Sequence, residues 1–76
     1  MNAQRRQDIQ RAIDLLEEAK TILETSIDDE QGAFDNMPES LQYSERGQKM
    51  EEYISYLEDA VSDIEDAMQN AGECIN

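Results

Sequence analysis

The sequence predicts an all-α protein: an antiparallel helical hairpin of two long amphipathic helices, completed by self-association into a helical bundle. Three observations carry this reading. Apolar residues recur in helical phase over two long segments, and a single proline-containing stretch separates them. The chain has only 76 residues, so one copy commands a marginal core unless it oligomerises. Leu, Ile, Val and Phe are few and the net charge is −13, a balance common in disordered chains, but disordered acidic chains do not hold apolar residues on one helical face over several heptads.

The first helix is expected over residues 4–35, with no strong N-cap in view. Arg5 and Arg6 sit badly against the positive end of its dipole, which directs attention to Asp8 and, if the chain doubles back, Glu73 as their partners. Ile9, Ile13, Leu16, Leu23, Ile27, Phe34 and Met37 follow an alternating four-three spacing, interrupted at Lys20 and Glu30. A second line, Ala12, Leu15, Ala19, Ile22 and Ala33, runs beside it and widens the apolar arc to roughly 160°, more than one antiparallel partner covers. Gly32 costs about 1 kcal/mol relative to Ala inside a helix, yet Phe34 and Met37 stay in phase, so the helix is expected to continue to Asp35.

Residues 36–43 form the connection. Pro38 steers Met37 away from the α region and suits the start of a short helical turn carrying Leu41; Ser44 is then the best N-cap for a helix over 45–71, with Gly72 at C′. That second helix repeats every seven residues. Met50, Leu57, Ile64 and Ala71, then Tyr53, Ala60, Ala67 and Cys74, then Ile54, Val61, Met68 and Ile75 make one apolar stripe about 100° wide, backed by acids. The small residues, Ala12, Ala19, Ser26 and Ala33 against Ala60, Ala67 and Cys74, are expected to face each other within the hairpin. Leu15, Ile22, Ile54, Val61, Met68 and Ile75 would then remain for contacts between chains.

Chemistry is mostly absent from the sequence. With no histidine, no glycine-rich phosphate loop and a single cysteine, neither a catalytic triad nor a zinc or di-iron site can be assembled, and no cofactor or metal is expected. Asp28-Asp29-Glu30-Gln31-Gly32 lacks the spacing and the closing glutamate of an EF-hand. Catalysis by a carboxylate pair needs a buried acid, and the acids here fall on polar arcs. A charge of −13 disfavours nucleic acid and anionic membrane, so a charged partner would be basic. The candidate binding residues are Glu51, Glu52, Glu58, Asp59, Glu65 and Asp66, with Tyr43 and Tyr56, rings set beside acids, as interface anchors. No apolar leader or spanning segment is seen, and an intracellular location is the expectation.

The turn Phe34-Asp-Asn-Met-Pro-Glu-Ser-Leu-Gln-Tyr-Ser-Glu-Arg-Gly-Gln48, followed by an acidic amphipathic repeat, resembles small acidic helical proteins of bacteriophages and prophages, in which a similar turn joins two acidic helices. The resemblance covers about half the chain. It implies a phage or mobile-element origin and a bacterial cytoplasm, and brings no activity with it. By analogy with inhibitors that occupy nucleic-acid-binding surfaces of host defence enzymes, it suggests a non-enzymatic DNA mimic of the anti-CRISPR or anti-restriction kind. The alternative is a self-associating phage assembly protein whose acids only keep it soluble.

Overall fold

A computed structural model describes residues 1–76 and shows an all-α hairpin: α1 (Ala3–Asp35), a short α2 (Glu39–Gln42) and α3 (Glu45–Glu73), with α1 and α3 packed along their length. The particle measures 58 × 15 × 14 Å, with a radius of gyration of 17.2 Å against about 11 Å for a compact chain of this length. No helix is long and apolar enough to cross a membrane.

Helix α1 has a cap that the sequence reading overlooked. The Asn2 side-chain oxygen accepts from the Arg5 amide at 2.8 Å, and the Arg6 amide donates to the Asn2 carbonyl. The expected ion pairs of Arg5 and Arg6 with Asp8 or Glu73 do not form; Asp8 accepts from the Gln4 amide instead, and the one ion pair within 4 Å is Lys49–Glu52 at 3.5 Å. Gln10 to Asp14 and Gln31 to Asp35 repeat the Gln4–Asp8 spacing, each pair contributing about 0.2–0.5 kcal/mol to a solvated helix. The helix runs through Gly32 to Asp35, as the phase of Phe34 requires.

The connection is fastened by side chains. Gln42 donates its amide to the carbonyls of Phe34 and Met37, at 3.1 and 3.2 Å, which ties the end of α1 to α2. Ser44 caps α3 by accepting from the Gly47 amide, and its hydroxyl donates back to the Leu41 carbonyl. Gly47 is buried because α2 lies directly on it: a Cβ there would sit 2.7 Å from the Leu41 carbonyl oxygen and closer still to that of Gln42. Its φ is negative, so close approach and not backbone conformation demands the glycine. At the far end α3 continues through Gly72 to Glu73 with Cys74 as C-cap in right-handed conformation, so Gly72 is not the C′ residue expected.

The core is a single seam. On α1 it follows the four-three line from Ile9 to Met37, with Lys20 and Glu30 half-buried within it. On α3 it consists of Met50, Ile54, Leu57, Val61, Ile64, Met68, Ala71 and Ile75; Met50, Ile54 and Val61 are its most buried members, at 8%, 7% and 8% exposure. Two expectations are corrected here. The small-residue edges do not form the contact between the helices: Ala12, Ser26, Ala33, Ala67 and Cys74 are exposed, and only Ala19 and Ala60 are half-buried. Ile54 and Val61, with Met68 and Ile75 half-buried beside them, line the hairpin's own core and are not left free for contacts between chains. The reason is area. Burying an Ile or Leu removes far more apolar surface from water than burying an Ala, at about 25 cal/mol per Å², so the two helices turn their larger side chains inward.

Candidate functional site

Once the seam is fixed, the remaining positions sort onto two broad faces and two outer edges. In an antiparallel pair, the flank that follows the seam clockwise on one helix lies beside its counterpart on the other, so each broad face is built from both helices.

On one broad face α1 presents Asp14, Glu17, Glu24 and Asp28, and α3 presents Glu51, Glu58 and Glu65, all exposed. No Lys or Arg stands among these positions; Lys20, half-buried in the adjoining seam, is three residues from Glu17 and four from Glu24, and none of the seven carboxylates has a cation within 4 Å. Gln7, Gln10, Thr21, Ser55, Ser62 and Gln69 fill the spaces between them with uncharged polar groups. Asp14 is held in place by the Gln10 amide at 3.0 Å. The acids form two tracks, each about 21 Å long at 1.5 Å per residue, on helices whose axes lie about 8–10 Å apart. Glu52, Asp59 and Asp66 extend the anionic surface around the outer edge of α3.

The opposite broad face differs in kind. Arg5, Arg46 and Lys49 there match Asp8, Asp29 and Asp63 in number, Lys49 being paired with Glu52 at the edge, and the intervening positions are Leu15, Ile22, Tyr53 and Tyr56 among alanines, Ser26, Asn70 and Cys74. The chain's negative charge is thus segregated to one side of a particle only 15 Å across.

The sequence-derived acids on α3 therefore divide. Glu51, Glu58 and Glu65 lie on the anionic face, while Glu52, Asp59 and Asp66 border it. The reading missed Asp14, Glu17, Glu24 and Asp28, because their membership of the same surface depends on which flank of α1 lies beside α3. Once Ile9 and Ile13 are taken as seam, the heptad spacing of Glu17 and Glu24 from Gln10 was the available signal. Tyr56 sits on the neutral face with Asp63, next to Glu52 and Asp59 four residues before and three residues after it, and Tyr43 is exposed at the end of α2.

Nothing in the arrangement gathers reactive groups. The hairpin encloses no pocket, the carboxylates are strung out and do not converge in a cluster able to hold a metal ion, and Cys74 is an exposed free thiol. What the geometry offers is an extended anionic strip in which Glu52, at its border, is the one carboxylate paired with a cation. No protein-family model, curated protein or solved structure matches the chain.

Proposed function

We propose that the protein is a non-enzymatic binding protein whose anionic face occupies a basic, nucleic-acid-binding surface of another protein, in the manner of a DNA-mimic inhibitor directed at a host defence or nucleic-acid-processing protein in a bacterial cytoplasm. One observation carries the reading: two helices contribute seven exposed carboxylates to one face, none of them paired with a cation within 4 Å. Duplex DNA carries one charge per roughly 1.7 Å of axis, on strands separated by grooves about 6 and 12 Å wide. The two carboxylate tracks, with the outer edge of α3, present a charge density of the same order, on helices whose axes lie about 8–10 Å apart. The polar residues between the acids contribute hydrogen-bonding groups without adding cations that would repel a basic partner. A phage origin, as the turn resemblance suggests, accords with such a role.

The competing reading is a structural or assembly protein in which the acids confer solubility alone. Segregation of charge favours the first, because solubility is served equally well by acids on both faces. The two are separated by affinity capture from bacterial lysate at low and high salt, using the parent and a variant in which Glu17, Glu24, Glu58 and Glu65 are glutamine. The inhibitory reading expects a nucleic-acid-binding protein that the parent retains at low salt, the variant fails to retain, and duplex DNA displaces. Contacts of this kind are screened beyond about 8–10 Å at physiological ionic strength, so retention should fall steeply with salt. Equal retention by parent and variant, or a partner indifferent to DNA, overturns it.

A further inference from the structure

We infer that the neutral broad face, centred on Leu15, Ile22, Tyr53 and Tyr56, is the docking surface for a second copy of this chain, and that the protein is a face-to-face dimer forming a four-helix bundle. This goes beyond the reading of the anionic face and stands independently of it.

The first argument is exposure. Leu15, Ile22, Tyr53 and Tyr56 are 54%, 61%, 52% and 67% exposed in the single hairpin, and they share one face whose intervening positions, such as Ala19 and Ala60, are small. A face of large apolar side chains over short ones admits another helix pair at close range.

The second argument is area. The hairpin exposes 5634 Å², whereas a compact protein of 8.7 kDa exposes about 4,700 Å². The excess, on the order of 900 Å², matches the roughly 800 Å² that each partner contributes to an interface of standard size. A broad face 58 Å long and 15 Å wide is large enough to bury it.

The third argument is charge, and it selects the occupant. A basic foreign protein would be drawn to the opposite face. Here Arg5, Arg46 and Lys49 equal Asp8, Asp29 and Asp63 in number, with Lys49 paired to Glu52 at the edge, so this is the broad surface on which two copies of net charge −13 meet with the least like-charge repulsion across the contact. A two-fold dimer uses the same patch twice, and it turns both anionic faces outward and away from each other.

Sedimentation equilibrium of the full chain over a micromolar-to-millimolar series, paired with circular dichroism, tests this. The parent is expected at twice 8.7 kDa, and Leu15→Glu and Ile22→Glu at 8.7 kDa. Ile22→Ala, which preserves helix propensity, covers loss of helix in the glutamate variants: it should remain helical and weaken dimerisation by at least about tenfold. Glu58→Gln, on the anionic face, should leave the mass at the dimer value. A parent at 8.7 kDa throughout, an assembly larger than two, or a dimer unaffected by Ile22→Ala overturns the inference. None of these outcomes bears on capture by the anionic face, which is read separately.

Discussion

Alanine in place of glycine should have opposite effects at two positions of this hairpin, and the contrast tests the account of the turn. At Gly47 the added methyl group meets the backbone carbonyls of Leu41 and Gln42, the former at 2.7 Å, and no side-chain rotation relieves it. Either α2 lifts from α3 or the first turn of α3 unwinds, and both forfeit the Ser44 cap. The cost belongs at the upper end of the roughly 1–3 kcal/mol typical of overpacking. A domain of 76 residues has about 4–11 kcal/mol to lose, and each kcal/mol moves the midpoint by about 4–8 °C, so Gly47→Ala should lower Tm by about 12–24 °C. At Gly32 a Cβ meets nothing within 4 Å and the residue lies inside a continuous helix, so Gly32→Ala should gain about 1 kcal/mol and raise Tm by about 4–8 °C. Thermal melts followed by far-UV circular dichroism read both. A Gly47→Ala protein that melts with the parent refutes the packing described for the connection, and a Gly32→Ala protein that melts below it refutes the open surroundings described for Gly32.

Ile54→Ala should cost about 2–5 kcal/mol, visible as a lowered denaturant midpoint, because Ile54 lies in the seam and not on an outer surface. Replacing Lys20 or Glu30 with Leu should add about 1 kcal/mol each in the same assay, since both half-buried side chains interrupt an otherwise apolar line; polar residues in such seams fix register at the expense of stability, so the Leu variants should also tolerate misaligned pairing, detectable as broadened amide resonances. Gln42→Ala removes two hydrogen bonds to the Phe34 and Met37 carbonyls and should cost about 1–2 kcal/mol, with amide protection lost first between residues 34 and 44.

The hairpin was legible because period and punctuation agreed. The line from Ile9 to Met37 kept helical phase through Gly32, and Pro38 with Ser44 marked the break and the restart. The rotation of each helix about its own axis was not legible on α3. Its stripe offered two choices of seam, one including Tyr53, Ala60 and Ala67 and one including Ile54, Val61 and Met68, and only the apolar area each would bury decides between them. That ambiguity also hid half of the anionic face, since Glu17 and Glu24 become neighbours of Glu58 and Glu65 only when the rotation is known. Asn2 escaped notice as a cap because it precedes a basic first turn, and Gly47 because a close approach across a turn leaves no periodic trace.

The connection between residues 36 and 47 has a kinetic consequence. Gln42, Ser44 and Gly47 make their contacts over a short stretch of chain, so closing them costs little loop entropy, whereas Ile9 and Ile75 can meet only after everything between them is in place. Such a chain folds as a zipper that starts at the bend. Substitutions near the bend should slow refolding, and those at the open end should hasten unfolding while leaving the forward rate alone.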